Sequence, residues 1–367
     1  MKRSIITITA LMLLMSMYVP LASARTNVTG PSVQDPSAEE AAAYKAWFDA
    51  NQAKDYPKAM ELAKAYLQKF PNGNATNIQY LKTKWIPGVR GMMYKEAHDK
   101  GDVAGEIRIA KEVLAEDPDN LDYIWAVVVE IRTNEIAKNN FAHAADTTDL
   151  SQRAIRLFES GKTLTGVDAA KFNKNVTLGY LHQTLALVAD NSKDAEKSLA
   201  EYTKAAELDP TNAAYFFHCG RINNDRYNVA AQKYDAAQKK ADAIPEADRN
   251  AADPKPDVKA ALEEAKTALA DVRSKAEPVV NCWARYLGLT MDKPSEARTT
   301  VMSVVSGLYK FLNNNSEEGL TKLIEANKTG PTPVKMTVPP PQSTTPTKPA
   351  ADAGNAAAKP VTGKKPR

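Results

Sequence analysis

The chain has 367 residues, 43% of them hydrophobic, with abundant Ala, Lys and Glu, and a formal charge of +4. Lys2 and Arg3 open it and residues 331–367 hold six basic residues against Asp352, so the basic character belongs to the ends and the body is slightly acidic. That balance disfavours nucleic acid as a partner, and the composition is that of a helical secreted protein.

At the N-terminus, Lys2 and Arg3 precede an apolar run from Ile5 to Val19, and Ala22, Ser23 and Ala24 supply the small residues of a cleavage site. This is the pattern of a secretory signal peptide over residues 1–24, cut after Ala24, and it predicts a periplasmic or secreted protein. An uncleaved anchor fits less well, because the run is short and is broken by Thr7, Thr9 and Pro20. No cysteine near the cut offers a lipid attachment point, and no later stretch is long and apolar enough to span a bilayer in the mature chain. Residues 25–37 form a polar, flexible lead-in with Gly30, Pro31 and Pro36, and Ser37 is placed to cap a helix that begins near Ala38.

From Lys54 the sequence KDYPKAMELAKAYLQKFPNG sets Tyr56, Ala59, Leu62, Ala63, Tyr66 and Leu67 three or four residues apart, on one face of a helix. Pro71, Asn72 and Gly73 then stop it. The unit returns as GDVAGEIRIAKEVLAEDPDN from Gly101, as DAEKSLAEYTKAAELDPTN from Asp194, and in part as RYNVAAQKYDAAQ from Arg226. One amphipathic hairpin cannot bury such a face alone, so neighbouring hairpins are expected to stack. No clear unit lies between Pro118 and Asp194, which leaves an ordinary helical bundle open as the alternative. A break at 245–256 precedes further helical stretches at 258–275, 277–289, 301–312 and 317–326. Over residues 329–367, and most strongly from Pro331, the chain turns into Pro, Thr, Ala and Lys, which predicts a disordered basic tail. Lys359, Lys364, Lys365 and Arg367 would suit an anionic cell-wall or membrane surface; a solvated tail without a ligand is the other reading.

These residues resemble the tetratricopeptide repeat family. Ala230, Tyr234 and Ala237 match its small-aromatic-small order, Gly220 stands at the close-packing glycine of the preceding helix, and Pro71, Pro118 and Pro210 close the units. Glu106, by contrast, stands where the family has alanine. The resemblance covers roughly residues 40–240 and implies an all-α fold, a TPR-like α-solenoid of antiparallel helix hairpins over 38–240. A C-terminal helical segment, 241–328, would cap the repeats.

In that register the first helix of each hairpin lines a concave surface. Tyr44 and Phe48, then Asp122, Trp125 and Arg132, then Phe217, Arg221 and Asn224 would project into it. The family's Lys/Asn carboxylate clamp is missing from these positions, and an aromatic-lined groove with isolated arginines takes its place. Trp125 and Phe217 could equally be core residues. Cys219 and Cys282 are the only cysteines, free to pair in an oxidising compartment or to remain buried thiols.

Motifs for a nucleophile elbow, a phosphate loop, a zinc helix or a redox dithiol do not occur, and His98, His143, His182 and His218 are scattered without an i, i+4 pair. The reading is therefore a non-enzymatic scaffold without cofactor or metal, which holds a protein or peptide segment in the bacterial cell envelope. An auxiliary binder of glycan or cell-wall fragments is the alternative.

Overall fold

The computed structural model describes residues 37–168, 170 and 172–340. The expected signal peptide of 1–24, residues 25–36 of the expected lead-in and residues 341–367 of the expected tail lie outside the described residues. The described chain contains helices and no strand, and no helix in it is long and apolar enough to cross a membrane. It divides into two compact units with the boundary between Met93 and Tyr94.

In the first unit, α1 (Ala38–Gln52) and α2 (Tyr56–Lys69) form a hairpin, followed by α3 (Ala75–Tyr80), a π-helical turn (Leu81–Trp85) and α4 (Ile86–Lys100), which runs across the unit boundary. Ser37 caps α1 as expected, its hydroxyl accepting from Glu40 N at 3.1 Å. The core holds Trp47, Trp85, Tyr66 and Leu81, with Ala59 and Ala63 allowing close approach. Buried Glu40 ties the hairpin to the next turn, accepting from the Tyr66 hydroxyl at 2.6 Å and from Asn74 N at 2.5 Å.

The second unit continues with α5 (Val103–Glu116), α6 (Leu121–Asn134), α7 (Ala144–Glu159), α8 (Lys174–Asn191), α9 (Ala195–Leu208), α10 (Ala213–Asp242), α11 (Glu246–Arg249), α12 (Pro256–Leu289), α13 (Glu296–Leu312) and α14 (Leu320–Ala326). From α5 to α10 each helix packs on the one before it.

The same turn is built three times. Lys54, Gly101 and Lys193 take φ of 58°, 67° and 61°, and the Asp that follows sends its backbone N–H back five residues, to Ala50, Ala97 and Ala189. Asp55, Asp102 and Asp194 then cap the next helix, each accepting from the N–H three residues on, at 3.2, 2.9 and 3.0 Å. The far ends match too: Phe70, Asp117 and Asp209 close their helices in extended geometry, and Asn74, Asn120 and Asn212 cap α3, α6 and α10. Replacing one such cap, Asp194→Ala, is expected to lower the stability by about 1 kcal/mol. Urea unfolding at constant slope measures it, and an unchanged midpoint would deny the cap its role.

Three sequence expectations are corrected. First, the partial unit from Arg226 does not begin a new helix, because α10 runs unbroken from Ala213 to Asp242. In the register of Ala230, Tyr234 and Ala237, Asp225 and Arg226 stand where the other turns have their left-handed residue and Asp cap, and α12 lies along α10 there. Phe216 and Tyr227 are buried in the core shared with α12, as are Ala230 and Tyr234, so packing across both halves outweighs the local turn signal. Second, α12 is continuous through Pro278, although separate helices at 258–275 and 277–289 were expected. Ala276, Val279 and Val280 are fully buried on either side of the proline and hold the helix together despite the lost N–H. Third, residues 329–340 of the expected disordered tail pack on the helices. Met336 is buried and its N–H donates to Asn281 Oδ1 at 2.8 Å, while Asn327 exchanges two hydrogen bonds with Val334.

The α10–α12 pair is also joined covalently, by a disulfide between Cys219 and Cys282. Beside it the Trp283 ring lies directly on Gly220, where an added Cβ would overlap the indole; the glycine is there to admit the ring. Closure of a 63-residue loop is expected to contribute up to about 4 kcal/mol through the unfolded state.

Candidate functional site

The helices that open successive hairpins in the second unit, α6, α8 and α10, carry most of the side chains expected at a binding surface. Arg132 on α6 reaches α8, donating through Nη1 to Tyr180 O at 3.1 Å and Thr184 Oγ1 at 2.8 Å, and through Nη2 to Gln183 Oε1 at 2.5 Å. Its guanidinium also lies 4.2 Å from the centre of the Tyr180 ring. Trp125, two turns earlier on the same side of α6, is half-buried with its ring against Phe158 and Tyr180. From the opposite side Arg221 on α10 pairs with Asp190 at the end of α8 and, more loosely at 3.6 Å, with Asp225.

Both arginines act on a pair of rings, one buried and one half-buried. Tyr202 on α9 and His218 on α10 stack in parallel planes with centroids 4.9 Å apart, and neither the Tyr202 hydroxyl nor His218 Nδ1 has a hydrogen-bond partner. Burial, followed by the charge of Arg221, lowers the His218 pKa to about 4, so the ring is neutral near pH 7. Burial likewise raises the Tyr202 hydroxyl and lowers Arg132. For Arg221 burial acts downward, but the hydrogen bond and charge of Asp190 hold its pKa above the ordinary value. Asp225, largely exposed, is raised by what burial it has against the pull of Arg221.

The structure thus brings Trp125, Arg132 and Arg221 to one face through α8. It does not bring the rest. Phe217 packs on Tyr286 and against the α10–α12 core, and its carbonyl accepts from Trp283 Nε1 at 3.0 Å. Asn224 is buried, with an Oδ1 that receives no hydrogen bond, so it points to no groove. Asp122 is exposed and holds the following loop by accepting from Thr165 N at 2.8 Å. Tyr44 packs on Trp47 and Tyr66, with Phe48 largely exposed beside Trp47; both belong to the first unit. On this face α8 supplies Tyr180, Gln183 and Asp190, none of them anticipated from sequence. Asp190 had a readable signal, four residues before the Asp194 cap. Asn51 and His98 hold the same place before Asp55 and Asp102, and each also bonds or faces the helix that opens the next hairpin.

Among the described residues, His98, Glu106 and Glu130 are the group whose donor atoms converge closely enough to hold a metal ion. The α6–α8–α10 face itself offers guanidinium, carboxylate and aromatic groups, which recognise by stacking and charge-assisted hydrogen bonds. No family model matches the chain, and no curated protein or solved structure does so either.

Proposed function

We propose that this chain is a divergent tetratricopeptide-like scaffold of the bacterial cell envelope, exported by its N-terminal signal, which holds a protein or peptide segment on the α6–α8–α10 face. The observation that carries the reading is the spacing of equivalent polar links. Asn51 accepts from Trp85 Nε1 at 2.8 Å, His98 stands 3.3 Å from Glu130, and Asp190 pairs with Arg221. Each joins the end of one hairpin's first helix to the helix that opens the next, 31 to 34 residues on. The links and the turn recur at 47 and then 92 residues, against about 34 in the tetratricopeptide family, so they support a stack of elongated units, with two between the second and third turns. The cystine fits an oxidising compartment.

The face combines a fixed cation, Arg221, with an exposed carboxylate, Asp225, beside the half-buried rings of Trp125 and Tyr180. Such a mixture suits an extended segment bearing both charges. The test exchanges the pair, Asp190→Arg with Arg221→Asp, which preserves the ion pair while inverting the charges presented. Cross-linking in the native envelope is expected to yield at least tenfold less partner adduct with this double variant, at an unchanged helical content. An unaltered set of adducts would refute the face, and a thermal shift with saccharides in place of protein adducts would favour a glycan ligand.

A further inference from the structure

At the N-terminal end of the second unit the repeat departs from its own pattern. The position four residues after the capping Asp is the most buried of the helix: Ala59, Glu106 and Ser198 are all 0% exposed there. Alanine has nothing to satisfy, and Ser198 donates its hydroxyl to Ala186 O at 3.1 Å. Glu106 places a carboxylate at this position, and neither of its oxygens receives a hydrogen bond. A buried unsatisfied carboxylate costs several kcal/mol and is retained only where something compensates it.

The surroundings indicate the compensation. Glu130 on α6 is also buried, and the Asn134 amide holds its Oε1, leaving Oε2 directed elsewhere. His98, near the end of α4 with its side chain 56% exposed, brings Nδ1 to 3.4 Å from Glu106 Oε1 and 3.3 Å from Glu130 Oε2. The donor atoms of the three residues all lie within 4.8 Å of one another. Ligands about 2.0–2.1 Å from a tetrahedral cation stand roughly 3.4 Å apart, so the observed separations need only small adjustment. Tyr94 stands one turn before His98 on the same face of α4.

We propose that His98, Glu106 and Glu130 form a binding site for one divalent transition-metal ion, a site that no part of the scaffold reading requires. One imidazole nitrogen and two carboxylate oxygens suit Zn²⁺ or Mn²⁺ better than Ca²⁺, which takes six to eight oxygens. The exposed histidine provides the route of entry and leaves a coordination position toward solvent. Asn134 fixes the Glu130 carboxylate from behind, as outer hydrogen bonds do in built metal sites. The ion would join the first two helices of one hairpin to the helix opening the next, at the place where Asp190 and Arg221 make the corresponding link further along.

The full chain, stripped of metal with a chelator, is titrated with Zn²⁺ alone by calorimetry, with Mn²⁺ and Ca²⁺ in parallel. The expected result is one Zn²⁺ per chain, with affinity at least tenfold weaker in both Glu106→Gln and His98→Ala, and a Zn²⁺-dependent rise in Tm that both variants lose. Without metal, Glu106→Gln is expected to melt above the parent chain. His98 is exposed, so His98→Ala folds whatever the fate of the Glu106 variant. Absence of binding, or equal affinity in the parent and both variants, overturns the site; tighter Ca²⁺ than Zn²⁺ binding overturns the assignment of metal class.

Discussion

Substituting Arg285 by alanine is expected to destabilise the protein by about 3–5 kcal/mol, the largest effect of any single side chain outside the apolar core. Arg285 is wholly buried on α12 and faces carbonyls rather than a carboxylate. Nη1 donates to Asn327 O at 3.1 Å and Thr329 O at 3.0 Å, and Nη2 to Pro210 O at 2.8 Å and Gly330 O at 2.5 Å. The guanidinium also lies 5.7 Å from the centre of the Phe216 ring. One planar fork therefore connects α12, the turn between α9 and α10, and the end of α14. Removing it leaves four acceptors without their donor, the buried Asn327 carbonyl among them. Arg285→Lys should recover only part of the loss, since an ammonium has three donors and cannot span both directions. Urea unfolding gives the magnitude, and hydrogen exchange locates it: protection at Val334 and Met336, whose N–H groups are bonded to side chains, should fall first. A stable alanine variant with that protection intact would show that the fork is dispensable.

The second large effect concerns acid. His218 has its pKa lowered to about 4 in the folded protein, against an ordinary value near 6.5 when unfolded. The unfolded chain therefore binds the proton first. The stability from keeping the ring neutral is complete above pH 6.5 and is lost as the pH falls from there through 4, by up to about 3 kcal/mol. Asp225 works in the opposite direction, because its raised pKa means that acid relieves a strained charge. The contribution of the histidine is thus isolated by comparison with His218→Phe, which keeps the stack on Tyr202 and removes the titrating nitrogen. Unfolding midpoints measured between pH 7.5 and 4.5 should decline more steeply for the parent chain. Parallel curves would mean that the ring is protonated without cost where it stands.

Much of the local structure was legible. Ser37, the Asp caps and the proline-marked ends act through their immediate neighbours, so their consequences are written within a few residues. At Asp225–Arg226 the corresponding turn does not form, because α12, which packs along that stretch, comes from more than thirty residues downstream. Pro278 and the 329–340 segment were misjudged for the same reason: distant packing decided their conformation. On the α6–α8–α10 face, register alone groups Trp125, Arg132 and Arg221, whereas Tyr180 and Gln183 were not foreseen, since nothing in a single helix says which residues a neighbouring arginine will meet. Glu106 was visible as a departure from the repeat, but the approach of His98 and Glu130 emerges only when three helices are assembled.

The bridge between Cys219 and Cys282 has a mechanical meaning whenever the chain is pulled from its two ends. Tension applied to the two termini passes from α10 to α12 through the sulfur atoms, and the residues between them carry none of it. The fully stretched oxidised chain is thereby shorter by the contour of that bypassed stretch, about 200 Å at roughly 3.4 Å per residue. The distal halves of the two long helices, with the loop that joins them, would keep their structure while the rest of the chain is drawn out.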